Sequence, residues 1–178
     1  MELEKLRFPV GRLNYTGIPS AEERQELIKH IEEFPSNMRQ AVQGLSKEQL
    51  EWRYRPDGWN IRQVVHHVAD SHMNALIRFK LAISEDKPTI KPYFEDRWAK
   101  HPDMDLDIEV SLDLLEPLHK RLVHLIKNLS DDELSRQYVH PEYNKTFDLN
   151  FTIAMYSWHS RHHHAHVLQA LQFEDKFD

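Results

Sequence analysis

Five histidines fall in the eight residues from His159 to His166, in a chain of 178 residues that holds 13 histidines and no cysteine. Neutral imidazole is the commonest protein ligand for divalent transition metals, and two histidines on one helix can share an ion only when they stand three or four residues apart. His159 with His163 and His162 with His166 both meet that spacing. An open catalytic metal site uses three protein ligands and keeps a position for water or substrate. The third ligand must therefore come from another element, and His66, His67, His72, His119 and His124 are the candidates. Several imidazoles in one buried helix repel one another when charged and are costly to desolvate when unpaired. A bound ion resolves both difficulties.

Other chemistries are excluded by what is missing. There is no His-Glu-x-x-His, and the one Glu-x-x-His, Glu116 to His119, lacks the second copy and the two further glutamates of a di-iron bundle. The absence of cysteine removes disulfides, thiolate ligands and a cysteine nucleophile, so any thiol in the chemistry must arrive with a substrate or cosubstrate. Net charge is −6, with acidic and basic residues interspersed and no basic run to track a phosphate backbone, which argues against nucleic acid. No stretch approaches the roughly 20 apolar residues that span a bilayer. The N-terminal MELEKLRFPV also lacks the basic-then-apolar order of a signal peptide. The expectation is a cytoplasmic protein that acts on a small molecule and has neither nucleic acid nor membrane as partner.

The elements that must position the histidines are helical. Four glycines are too few for a fold rich in tight β-turns, and the length suits one domain over residues 1–178. Residues 1–19, with Pro9, Gly11, Gly17 and Pro19, read as an extended lead-in. Ser20 caps a helix running toward Gly44 that Pro35 is expected to kink or break. Asn60 with Gln63 opens a long helix over about 61–84, a proline-marked segment follows to Pro102, and a third helix runs over about 107–128. Residues 139–148 read as a polar loop or small hairpin, and the last helix, over about 149–171, is apolar or histidine nearly all round.

Leu45-Ser46-Lys47-Glu48-Gln49-Leu50 and Leu129-Ser130-Asp131-Asp132-Glu133-Leu134 share one pattern, and a tyrosine (Tyr54, Tyr138) follows each at the same offset. The pattern reads either as an internal repeat of helix, capped turn, loop and helix, or as a common way of starting a short helix. On the second long helix, His72 lies in the middle of the apolar face, His67 at its edge beside Ser71 and Asn74, and His66 on the far side. Periodicity alone does not choose among them.

The run from Gly58-Trp59-Asn60 through His66-His67-Val68-Ala69-Asp70 to Asn74, with Trp158-His159-Ser160 and His162-His163-His164, resembles the YfiT group of the DinB-like metalloenzymes. Phe8-Pro9-Val10-Gly11, Arg78-Phe79-Lys80 and Lys91-Pro92-Tyr93 extend the likeness over nearly the whole chain. The resemblance implies an all-α, four-helix bundle of unusual topology with short extra helices, a homodimer, and one divalent ion per subunit, Zn2+ or else Ni2+. It implies His67, His159 and His163 as the ligands. Members of the group are described as metal-dependent hydrolases, and some DinB-like proteins are linked instead to transfer of low-molecular-weight thiols such as bacillithiol. A protein that only binds metal is the third reading. Asp70, one turn beyond His67, is the candidate for a general base or for a carboxylate that orients a ligand's ring N–H.

Overall fold

The computed structural model describes residues 2–177; Met1 and Asp178, the ends of the single domain expected over 1–178, lie outside the described residues. Four long helices dominate: α2 (Ala21–Val42), α3 (Ile61–Ser84), α5 (Glu109–Lys127) and α7 (Leu149–Phe173). Short elements join them: α1 (Leu3–Arg7), α4 (Glu95–Trp98), α6 (Asp131–Leu134) and a hairpin of β1 (Gln137–His140) and β2 (Lys145–Asp148). The lead-in expected over residues 1–19 is thus not extended throughout. Leu6 is buried, and that contact stabilises the single turn of α1.

Reciprocal side-chain to backbone caps start α2 at Ser20 with Glu23, α3 at Asn60 with Gln63, and α6 at Ser130 with Glu133. Asp148 caps α7 by accepting from the Phe151 N–H at 2.7 Å. Helix α2 packs mainly on α5 and α7, and α3 mainly on the same two. The helices that follow one another in each half therefore lie diagonally opposite, and the connections cross the ends of the bundle.

The repeated sequence pattern has a structural counterpart. Arg53 bridges Asn60, the cap of α3, and Gln137 pairs with Asp148, the cap of α7. One residue outward on each side, the Ile61 N–H donates to the Trp52 carbonyl at 3.0 Å and the Leu149 N–H to the Arg136 carbonyl at 3.2 Å. Each half thus enters its second helix through the same clamp.

Two apolar clusters fill the bundle. One gathers Ile31, Phe79, Leu122 and Ile153, the other Met38, Val64, Leu115 and Val167. Between them lies a layer of imidazoles from α3, α5 and α7. Pro35 does not end α2, which runs unbroken to Val42; its missing N–H leaves only the Ile31 carbonyl, four residues earlier, without a helical partner.

Asn60→Ala and Asp148→Ala should each cost about 0.5–2 kcal/mol of stability in urea titrations, because each removes a cap from a long helix. Equal midpoints for both variants and the parent would show that the clamp does not hold the helix ends.

Candidate metal centre

His67 lies in the second turn of α3, and His159 and His163 are one turn apart near the middle of α7. The His159 and His163 rings are 4.4 Å apart by centroid, and the His67 ring is 5.4 Å from the first and 4.8 Å from the second. One ring nitrogen from each lies within 4.8 Å of the others, and His67 and His163 are buried while His159 is partly exposed. The rings are neutral: burial, with His162 adding, pushes His67 down to about 3. Burial and the neighbouring imidazoles hold His159 and His163 well below the ordinary histidine value. Neutral rings offer lone pairs. A tetrahedral ion bonded at roughly 2.0–2.1 Å sets its nitrogens about 3.4 Å apart, so small ring rotations would close this triad on one. The donor set therefore fits a divalent transition-metal ion.

The surrounding hydrogen bonds assign the tautomers. The Ile31 carbonyl, freed by Pro35, can only accept, so the His119 Nδ1 at 2.6 Å donates to it. Neutral His119 then accepts at Nε2 from the His72 Nδ1–H, 2.8 Å away. In turn His72 accepts at Nε2 from the His159 Nδ1–H at 3.1 Å, which leaves the His159 Nε2 lone pair, 3.4 Å from the Ser71 hydroxyl, as the one that can join the triad. His72 is held well below its usual range, and His119 at about 4, chiefly by burial, which keeps the chain uncharged. Phe34 stacks on His72, at 5.2 Å, and closes the chain off from water.

His163 is set in the same way from the other side. The Arg7 carbonyl accepts from the His166 Nε2–H at 3.3 Å, leaving the His166 Nδ1 to accept from the His163 Nδ1–H at 3.4 Å. Tyr54 stacks on His166 with ring centroids 3.7 Å apart. His166 therefore orients His163 and stands outside the triad. Trp59 leans on His67 at 4.5 Å, the one aromatic contact on that ring from outside the triad among the described residues.

The other histidines have separate roles. His66, on the side of α3 turned away from His67, bonds the Ser111 hydroxyl at 2.7 Å and the Leu106 carbonyl at 3.2 Å. His164 faces Asn37 of α2. His162 stacks on Trp158, whose indole N–H donates to the Gly11 carbonyl. Asp70 is not brought to the triad: among the described residues its carboxylate bonds none of the three histidines. Burial and Asp103 raise it to about 6. Three residues along α3 from His67, it is turned about 60° away from the direction of that ring.

The triad forms one wall of a cavity of about 540 Å³, which Ser71, Arg78, Tyr93, His140 and Tyr156 also line. Sequence reading did not single out Arg78 or His140 for this site. Arg78 was visible as the residue eleven positions beyond His67, hence on the same helix face, but a charge at such a position gives no sign of whether a partner meets it.

A diagonal four-helix bundle with three neutral histidines on a cavity wall defines the class of a helical-bundle protein built to hold a metal ion. Residues 30–167 match the DinB superfamily, and the chain belongs to it. It is 46% identical over 165 residues to a candidate metal-dependent hydrolase of Bacillus mycoides, covering 93% of this chain and 95% of the relative. A candidate metal-dependent hydrolase of Bacillus cereus matches with the same identity and coverage. Among solved structures, YfiT from Bacillus subtilis superposes with a TM-score of 0.92 at 38% identity, over 96% of this chain and 98% of that one. It is described as a probable metal-dependent hydrolase with an unusual four-helix bundle topology. A mycothiol-dependent maleylpyruvate isomerase shares the fold, with a TM-score of 0.63 at 17% identity over 81% of this chain and 60% of that chain.

Nitrogen-15 spectra of the imidazoles should show His72, His119, His159 and His163 protonated at Nδ1. In Pro35→Ala the restored N–H would compete for the Ile31 carbonyl, and the His119 signals should shift most. Nε2–H tautomers at His159 and His163 would overturn the assignment.

In chelator, stability should fall as the pH drops below the ordinary histidine value of 6.5, because the unfolded chain takes up protons there. Folded His67 and His166 stay neutral to about 3, and His119 and His162 to about 4. Between those limits the unfolded state binds more protons, so stability rises with pH. A melting temperature unchanged between about pH 7 and about pH 5 would contradict the neutral, buried state of these rings.

Proposed function

We propose that this protein is a metal-dependent hydrolase in which His67, His159 and His163 hold one divalent ion per subunit, zinc or nickel. The convergence of three neutral imidazoles at one end of a substrate-sized cavity carries the reading, and the hydrolase names of relatives 46% identical support it. When bound, such an ion would supply Lewis acidity toward a water molecule or a carbonyl oxygen. Water then adds across an amide or ester: its oxygen joins the acyl carbon, and its proton leaves with the departing nitrogen or oxygen.

The chain's own contribution is to hold and shield the ligands. His72 and His166 keep the two ligands of α7 in the Nδ1–H tautomer, and the three neutral rings leave the ion's charge uncompensated. Trp59 stands over His67, and Trp158, tied to Gly11 of the lead-in, covers His162 at the rim. These aromatic walls keep bulk water from the centre. The same reading gives a homodimer in the cytoplasm acting on a small molecule, supported by the likeness to the YfiT group.

Purified protein should carry about one ion per chain, as a mononuclear three-histidine site requires. His67→Ala, His159→Ala and His163→Ala should each abolish stoichiometric binding, whereas His66→Ala, His162→Ala and His164→Ala should retain it. His72→Phe and His166→Phe should bind about 10–100-fold more weakly in chelator competition, the usual effect of removing a residue that orients a ligand. Amide and ester hydrolysis should be lost on chelation and restored by the ion. Turnover that appears only with an added low-molecular-weight thiol would replace hydrolysis by thiol transfer. Stoichiometric metal with no turnover on either panel would leave a metal-binding protein.

A further inference from the structure

Arg78 is 8% exposed, yet no carboxylate among the described residues lies within ion-pair distance of its guanidinium. Its Nη1 donates to the Tyr156 hydroxyl at 3.2 Å, and that hydroxyl in turn donates to the Ser71 carbonyl at 3.1 Å. The Nε is buried with no partner. A guanidinium stays protonated at any physiological pH, and taking one out of water without a counter-charge is strongly unfavourable. A second orphan faces the same cavity: His140, 5% exposed, has a buried Nδ1 without a partner. Burial and the Arg78 charge hold that ring neutral, so it can offer an N–H while Arg78 supplies the positive charge. Arg24 and Arg55 also have an orphan Nε, but neither lines this cavity, and the orphan Nδ1 of His162, which does, sits beside the triad with its ring 5.1 Å from that of His163.

Arg78 shares the helix face of His67 and Ser71, and side chains on a helix lean toward its N-terminus, here toward the triad. The charged residues lining the cavity are Arg78 and Lys145 against Glu95 and Glu142, which balance. Two glutamates at the wall disfavour a doubly charged phosphate, whereas a single planar carboxylate matches the guanidinium fork.

We propose that Arg78 and His140 form a carboxylate-docking subsite, so that the substrate is a small amide or ester bearing a free carboxylate, held with its scissile bond toward His67, His159 and His163. The subsite rests on the hydrolase reading for what happens at the far end of the cavity, but not for the binding of the anion. Tyr156 positions the guanidinium through its hydroxyl and stands between it and the histidine layer.

The test is calorimetric titration of zinc-loaded, full-length protein with benzoate, with its neutral isostere benzamide, and with inorganic phosphate. Benzoate should bind more tightly than either, and Arg78→Met should weaken it about 10–100-fold, as loss of a charge-assisted hydrogen-bonded pair does. The bound zinc and the benzamide affinity should stay as in the parent. Should Arg78→Met fail to fold, Arg78→Lys, which keeps the charge but loses the fork, and His140→Phe carry the test, and each should weaken benzoate. Unchanged benzoate affinity in these variants overturns the subsite, and tighter Arg78-dependent binding of phosphate overturns the carboxylate assignment. His67→Ala separates this proposal from the one beneath it. Benzoate binding that survives there and still depends on Arg78 upholds the subsite even where no metal binds. Benzoate binding that vanishes with the metal and ignores Arg78 places the anion on the ion and ends the proposal.

Discussion

The arrangement of the centre depends on one carbonyl that its own helix cannot satisfy. Pro35 has no N–H to offer the Ile31 oxygen four residues back, and a buried carbonyl left without a donor costs free energy comparable to a lost hydrogen bond. The His119 Nδ1 meets it at 2.6 Å. Because a carbonyl only accepts, that contact sets the direction of every proton from His119 through His72 to His159. A proline on α2 thus determines which nitrogen of a histidine on α7 faces the triad, by way of imidazoles from α5 and α3.

The imidazole layer also explains why the core is divided. Apolar packing on each side of it is ordinary, with Ile31, Phe79, Leu122 and Ile153 in one cluster and Met38, Val64, Leu115 and Val167 in the other. The layer between them holds neutral rings that would each gain a proton in water at mildly acidic pH. Burial keeps them neutral, and His72, His119 and His166 satisfy both ring nitrogens through carbonyls from α1 and α2 and through other imidazoles. The lead-in is part of this scheme: the Arg7 carbonyl anchors His166, and Gly11 receives the Trp158 indole.

The two halves of the chain enter α3 and α7 through the same clamp, yet the metal-type ligands do not follow that symmetry. Counted from the first residue of each helix, His67 corresponds to Met155, while His159 and His163 correspond to Ser71 and Ala75. A repeated scaffold with an unrepeated site leaves one helix supplying an i,i+4 pair and the other a single ring. Three ligands from two diagonal halves leave one side of the triad open toward the cavity.

The sequence by itself determined the helical class, the starts of α2 and α3, and the two histidine pairs of α7, His159 with His163 and His162 with His166, because caps and i,i+4 spacing act within a few residues of chain. The second half of the repeat pattern, Ser130 with Glu133, was legible for the same reason. The resemblance to the YfiT group singled out His67 and chose His159 with His163 between the two pairs; periodicity did not single out His67, since α3 is buried on most of its circumference and His66, His67 and His72 all have apolar neighbours. The side of α3 turned toward α7 is decided only by the diagonal packing of the bundle, which no local pattern encodes. Tertiary structure likewise decided that Pro35 would free a carbonyl without breaking α2, that His119 would reach it from α5, and that the Asp70 carboxylate would bond none of the three histidines among the described residues. It also left Arg78 and His140 without partners beside the same cavity. Whether a buried polar group is paired depends on groups brought from distant parts of the chain, and that juxtaposition exists only once the helices have packed.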